Sequence, residues 1–145
     1  MTKPVIVEYC CSPDSVLGKQ KTGINVIRLT EHHDMSTARG LRFALEQVRR
    51  VQPHNVLLWS SIPCTGGSSW QRVNMALYKK KGDEMAIKRL KELWKLFAVL
   101  WSKFVVLAET VLVGGGHIAI EWPSSCRYWG DRRVLAFLKK HRSFN

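Results

Sequence analysis

Four short segments rich in β-branched residues alternate with longer helical patterns, and this alternation constrains the fold more than any other feature. The predicted strands cover residues 5–9, 24–29, 56–62 and 117–122. A first helix is expected between Ser36 and Pro53, a long one at about 83–113, and a third at 132–141. This order predicts an α/β fold with a mostly parallel sheet and helices on both faces.

The chain of 145 residues is the size of one domain, and 46% of its residues are hydrophobic. That apolar content excludes a disordered basic tail. The sequence therefore predicts a single α/β domain over residues 1–145, complete or truncated.

A strong positive charge suggests the kind of partner. The 23 Lys and Arg exceed the 11 Asp and Glu, which gives a formal net charge of +12. Residues 72–103 account for +6 and residues 127–145 for +5. A folded basic surface attracts polyanions, so nucleic acid, DNA or RNA, is the expected partner. The alternative is a basic protein with no specific ligand.

Nothing in the sequence predicts a membrane protein. No signal-peptide pattern opens the chain, and the apolar stretch at 93–113 carries polar residues on one face, as an amphipathic helix does. The four cysteines lack the paired spacing of a zinc ribbon or a disulfide scaffold. We therefore expect a soluble intracellular protein, nuclear or cytoplasmic, with reduced thiols. The oligomeric state is left open.

Ligands of parallel α/β sheets bind beyond the carboxyl ends of the strands, which selects three segments here. They cover residues 8–15, 63–72 and 121–127. Cys64, between a proline and a flexible turn, is a candidate nucleophile, and the alternative is a buried, inert thiol. Glu121 ends an apolar run, so it either serves a ligand or pairs with an arginine such as Arg127. A thiol hydrolase using Cys64 with His117 is disfavoured, because His117 begins its strand.

Tryptophans and basic residues near these segments are candidates for nucleic-acid contacts. Trp59, Trp94 and Trp101 are expected in the core, whereas Trp70, Trp122 and Trp129 lie in loops where an indole can stack on a base. Residues 63–81 are predicted to form one long loop. His32, His33 and Asp34 have no matching ligand pair, so no metal site is predicted. The predicted nucleic-acid contacts are Trp70, Gln71, Arg72, Lys79, Lys80, Lys81, Arg127, Arg132 and Arg133.

Pro63-Cys64 after one strand and Glu121 after a later one resemble the S-adenosylmethionine-dependent cytosine carbon-5 methyltransferases. The resemblance implies a small Rossmann-like, methyltransferase-type domain that binds S-adenosylmethionine and acts on nucleic acid. It further implies that Cys64 attacks carbon 6 of a flipped cytosine and that Glu121 contacts the ring at nitrogen 3. The cofactor contacts that it implies are Glu8, Cys11, Ser12, Asp14, Glu31 and Asp34.

The chain also differs from that family's pattern. Its first loop, Cys11-Ser12-Pro13-Asp14, is not glycine-rich, Thr65 replaces a glutamine, and Trp122-Pro123 replaces Asn-Val. These differences favour a second hypothesis, a non-catalytic nucleic-acid-binding or assembly module that keeps the fold without the chemistry. The sequence also loosely resembles an uncharacterised segment of algal mobile-element polyproteins, which implies a nucleic-acid context.

Overall fold

The parallel sheet contains all four of the predicted strands. In a computed structural model that describes residues 3–17, 23–51 and 53–142, the strands are hydrogen-bonded in the order β2-β1-β3-β4, and every pair is parallel. The prediction of an α/β, Rossmann-like fold with a parallel sheet and helices is thereby confirmed. The strands are β1 (Val5–Tyr9), β2 (Asn25–Leu29), β3 (Val56–Ser60) and β4 (His117–Ile120).

Among the described residues, four α-helices and several short 3-10 turns accompany the sheet. The α-helices are α1 (Ala38–Arg50), α2 (Trp70–Lys81), α3 (Glu84–Val113) and α4 (Arg132–Lys140). The described 3-10 turns are Glu31–His33, Pro53–Asn55, Thr65–Gly67 and Arg127–Gly130.

Local capping explains where the helices begin and end. The Thr37 hydroxyl accepts a hydrogen bond from the Gly40 amide, so Thr37 is the N-cap of α1. Gly82, with φ of 67°, ends α2 in the left-handed conformation that glycine tolerates. The Asp83 carboxylate then accepts from the Ala86 amide, 3.1 Å away, and starts α3. The prediction of one loop over residues 63–81 is therefore wrong, because Trp70–Lys81 form the helix α2.

The chain divides into two units by its internal contacts. The first unit comprises residues 1–62 and 100–121, and the second comprises residues 63–99 and 122–145. The first holds the whole sheet, α1 and the end of α3. The second holds α2, α4 and the start of α3.

One face of the sheet carries the core of the first unit. Val7, Tyr9 and Leu58 are fully buried on it, and the Tyr9 hydroxyl donates a 2.7 Å hydrogen bond to the Leu100 carbonyl of α3. The Tyr9 ring lies 5.4 Å from that of Phe104. On the two central strands, β1 and β3, the residues of this face are therefore buried, as the alternation of β-strand side chains predicts for a face that a helix covers.

The opposite face of the sheet is less well covered. On its central strands Ile6, Leu57 and Trp59 are only half-buried, whereas Glu8, on the same face, is buried. In the part of the chain that the structure describes, no α-helix lies between β1 and β2. The two faces of the sheet therefore differ in burial.

Helix α3 is long and apolar. By length and composition alone it could span a membrane, because its most apolar 18-residue window has a mean hydropathy of 2.0. However, 44% of that window is buried within the structure, and Phe104, Leu107 and Val111 belong to the core of the first unit. This packing is consistent with the core helix of a soluble α/β domain.

Candidate nucleic-acid interface

A cavity of about 420 Å³ lies within the second unit. The Thr65–Gly67 turn, the first turns of α2, one side of α3 and the segment at 127–133 form its walls. Its lining residues are Gly66, Gly67, Gln71, Arg72, Met75, Trp94, Phe97, Arg127, Tyr128, Asp131 and Arg133.

Two buried glycines let the turn approach the aromatic residues closely. A Cβ at Gly66 would lie 2.4 Å from the Tyr128 hydroxyl, and one at Gly67 would lie 2.9 Å from the Tyr128 ring. The Trp94 indole N–H also donates a 2.9 Å hydrogen bond to the Gly66 carbonyl. The turn and the walls of the cavity are thus held together by direct packing.

Stacked aromatic rings form the interior of this unit. The Phe97 and Tyr128 rings are stacked with centroids 3.7 Å apart, and Trp122 meets both edge-on. Trp122 is 8% exposed and also contacts Trp129. Trp122, which was a candidate for stacking on a base, therefore packs within the protein.

Trp94 and Trp70 are the more exposed indoles of the second unit. Trp94 is 39% exposed and lines the cavity, so the prediction that it lies in the core is wrong. Trp70 is 71% exposed at the start of α2, outside the cavity lining. Both side chains are accessible for stacking.

The charged residues of the cavity differ in whether they have partners. The Arg133 guanidinium makes two hydrogen bonds to Asp131, of 3.0 and 2.8 Å, and lies 5.4 Å from the Phe97 centroid. Hydrogen bonding to Arg133 lowers the pKa of Asp131, which therefore stays ionised. Arg72 and Arg127 are exposed and make no hydrogen bond or ion pair through their side chains with any described residue. Two positive charges in the cavity wall thus remain uncompensated.

Of the nine residues predicted for nucleic-acid contact, the structure brings four into the cavity wall. They are Gln71, Arg72, Arg127 and Arg133. The other five are exposed in the same unit but do not line the cavity: Trp70, Lys79, Lys80, Lys81 and Arg132.

The aromatic and acidic residues of the cavity wall were not predicted from the sequence. Trp94, Phe97, Tyr128 and Asp131 come together only in the folded chain. The one local signal was Gly66-Gly67 after Cys64, since paired glycines often mark a close approach of the backbone.

Cys64, the predicted nucleophile, also belongs to the second unit. Burial, with a hydrogen bond to Cys126, raises the pKa of the Cys64 thiol to about 12. A thiol with this pKa is protonated at neutral pH and is a poor nucleophile unless a substrate or base removes its proton. The structure thus describes Cys64 as a neutral thiol.

Glu121, the other predicted catalytic residue, belongs to the first unit. Its Oε2 accepts a 3.1 Å hydrogen bond from the Trp59 indole, and its amide donates to the Ser60 carbonyl. The side-chain partner of Glu121 is therefore a tryptophan rather than an arginine. The carboxylate is exposed at the carboxyl end of β4.

The turn after β1 holds three of the residues predicted for cofactor contact. Cys10 has φ of 60°, and Cys11 bonds to the Leu29 carbonyl of β2 through its amide, at 3.2 Å. The Ser12 hydroxyl accepts from the Asp14 amide, and both side chains are exposed. Burial, with hydrogen bonding to Glu8 as a further cause, raises the pKa of Cys11 to about 12.

The remaining predicted cofactor residues differ sharply in exposure. Glu8 is 2% exposed, and its Oε1 has no hydrogen-bond partner. Glu31 and Asp34 are exposed just beyond β2, and the Asp34 carboxylate accepts from the Ser36 amide. Of the three carboxylates, Glu31 is thus accessible and not engaged through its side chain with any described residue. No cluster of three or more His, Cys, Asp and Glu that could hold a metal exists among the described residues.

Comparison of the chain with family models, with curated proteins and with solved structures gives no match. The fold is a parallel α/β sheet with helices, and the second unit carries a cavity lined by arginines and aromatic rings.

Proposed function

We propose that this chain is a nucleic-acid-binding module that uses a Rossmann-like fold. One observation carries the proposal: the second unit contains 14 Lys and Arg against four Asp and Glu, a net charge of +10. The first unit contains nine against seven, a net charge of +2. The charge is thus concentrated on one unit, as binding to a polyanion requires.

The arrangement of the basic residues supports nucleic acid over a single small anion. Exposed cations lie on the last turn of α2, in the cavity wall and at the start of α4. A surface of this kind contacts several phosphates, and each contact releases counterions. The proposed module accordingly binds along a strand rather than at one point.

The neutral Cys64 thiol favours binding without chemistry over a covalent reaction. A cytosine carbon-5 methyltransferase needs a thiolate for attack, whereas burial and Cys126 keep this thiol protonated. The proposed location is the nucleus or cytoplasm, where nucleic acid is present and thiols stay reduced.

Methyl transfer from S-adenosylmethionine is the second candidate, and the strand order favours it. In the order β2-β1-β3-β4 the connections after β1 and after β3 run towards opposite edges of the sheet, and ligands of such sheets bind beyond the carboxyl ends of the strands at that switch point between β1 and β3. Exposed Asp14 and Glu31 fit the hydroxyl and amino groups of such a cofactor. When bound, the cofactor would supply an electrophilic methyl group. This chain's own contribution would be to orient it through those carboxylates.

Fluorescence anisotropy with a labelled 20-nucleotide strand tests the proposed function. We expect the affinity to fall as salt rises, with a slope of log affinity against log salt of about −0.7 for each phosphate contacted. The triple variant Lys79→Ala, Lys80→Ala, Lys81→Ala should lower the steepness of that slope by about 2.

A matched control removes the same charge from the first unit. Arg39, Arg42 and Arg49 are exposed on α1, and their replacement by alanine should leave the slope nearly unchanged. Absence of binding at 50 mM salt, or an equal decrease of the salt slope in both triple variants, would contradict the proposal. Calorimetry with S-adenosylmethionine tests the second candidate, methyl transfer. If millimolar cofactor gives no heat of binding, that candidate is excluded.

A further inference from the structure

We propose that the cavity of the second unit accepts one unpaired nucleotide, so that the module prefers single-stranded nucleic acid to duplex. The base lies against Trp94, and the phosphate lies between Arg72 and Arg127. This inference rests on the proposed function and adds the form of nucleic acid that the site selects.

The size of the cavity limits what can enter. Its volume of about 420 Å³ is in the range of small-ligand pockets, of the order of 300 to 1,000 Å³. A double helix presents its bases stacked and paired, so a base of a duplex enters a concave pocket only after it has been unstacked and unpaired, at a cost of a few kcal/mol. A single strand can place one base in it at low cost.

Trp94 provides a fixed aromatic surface. The hydrogen bond from its indole to the Gly66 carbonyl holds one edge of the ring, while 39% of the residue stays exposed in the cavity wall. The neighbouring Phe97 and Tyr128 rings are stacked on each other and buried. An indole held in place loses little entropy when a base stacks on it, so it favours binding.

Arg72 and Arg127 provide the charge. Both line the cavity from different elements, α2 and the Arg127–Gly130 turn, and neither side chain has a partner among the described residues. Asp131, the one acidic residue in the lining, already pairs with Arg133 at 2.8 Å. A phosphate is the group whose oxygens a pair of free guanidinium groups binds best.

The test compares a 12-nucleotide single strand with a hairpin duplex of the same composition, both measured by anisotropy at the same salt. We expect the wild-type chain to bind the single strand at least ten-fold more tightly than the duplex. The double variant Arg72→Ala, Arg127→Ala should lose most of this preference. The control is the double variant Arg89→Ala, Lys139→Ala, which removes two exposed charges from the same unit outside the cavity. It should lower the affinities for the single strand and for the duplex by the same factor.

Two further measurements separate the possible failures. Circular dichroism must show the same melting temperature for both double variants. Trp94→Leu is an independent variant that leaves the charge intact. It should lower the affinity for the single strand and leave the affinity for the duplex unchanged. Equal affinity for strand and duplex, or equal effects of the two double variants, would overturn the cavity inference while the proposed function stands. A free mononucleotide that binds as tightly as the strand would overturn the preference for a strand. No binding of any nucleic acid would overturn both proposals.

Discussion

The indole N–H of Trp59 donates a 3.1 Å hydrogen bond to Oε2 of Glu121 and so joins β3 to the residue that follows β4. It fixes the carboxylate at the end of an edge strand that pairs with β3 over only four residue positions. The bond therefore has a structural role whether or not Glu121 contacts a ligand.

Loss of this hydrogen bond should be measurable as stability. Trp59→Phe keeps an aromatic ring and removes the donor, and we expect the free energy of unfolding to fall by about 1 kcal/mol. Urea denaturation of Trp59→Phe, Glu121→Ala and the double variant gives the coupling between the two side chains. Additive effects in this cycle would show that the bond contributes nothing.

Gly67→Ala should destabilise the second unit through overpacking. The new Cβ would lie 2.9 Å from the Tyr128 ring and 3.0 Å from the Cys126 sulfur, and the expected loss is about 1 to 3 kcal/mol. Gly130→Ala is the matched control, because a Cβ at Gly130 meets nothing within 4 Å. Similar melting temperatures for the two variants would contradict the close packing of the turn.

The stability of the chain should fall in alkaline solution. Burial raises the pKa of Cys10 to about 12 from its ordinary value of 9.0, so the folded state keeps a proton that the unfolded chain loses. Stability from this source is complete below about pH 9 and decreases as the pH rises towards 12. Thermal unfolding between pH 8 and 10.5 measures the fall, and Cys10→Ala should make it shallower. An unchanged slope in that variant would refute the assignment.

Cys64→Ala should leave nucleic-acid affinity within about two-fold of wild type, because a neutral thiol beside Cys126 contributes no charge to the interface. Anisotropy with the same labelled strand is the measurement. A ten-fold loss of affinity at unchanged melting temperature would indicate that the thiol contacts the ligand and would revive the covalent mechanism.

The strands of the sheet could be predicted from the sequence because the pattern that marks a buried strand is local. Buried parallel strands are short apolar runs, and the starts of all four lie within one residue of the predicted positions. The long pattern at 83–113 likewise became α3, at Glu84–Val113.

Helix α2 was missed for a physical reason. It buries no residue, and its apolar side chains Trp70, Val73 and Leu77 are exposed, so no inward face marks it as a helix. The predicted helix at 132–141 corresponds to α4, whose buried side chains are Val134 and Phe137, whereas Leu135 is 51% exposed.

Of the candidate site, the sequence predicted the three arginines and Gln71. Arg72 and Arg127 lie in the segments that follow the carboxyl ends of predicted strands, and Arg133 lies a few residues beyond the second of these segments. Trp94 was assigned to the core because it is seven residues from Trp101, yet Trp101 is 2% exposed and Trp94 is 39% exposed. Spacing along a helix places two residues on one side but does not tell which neighbours cover that side.

The division of the chain affects how the protein folds during synthesis. The sheet-bearing unit needs residues 100–121, which leave the ribosome after most of the second unit has been made. Val56 and Leu58 on β3 must therefore wait for the later half of α3 and for β4 before they are buried. Neither unit is a consecutive stretch of the chain, so neither can fold to completion before residues from its later segment have been made.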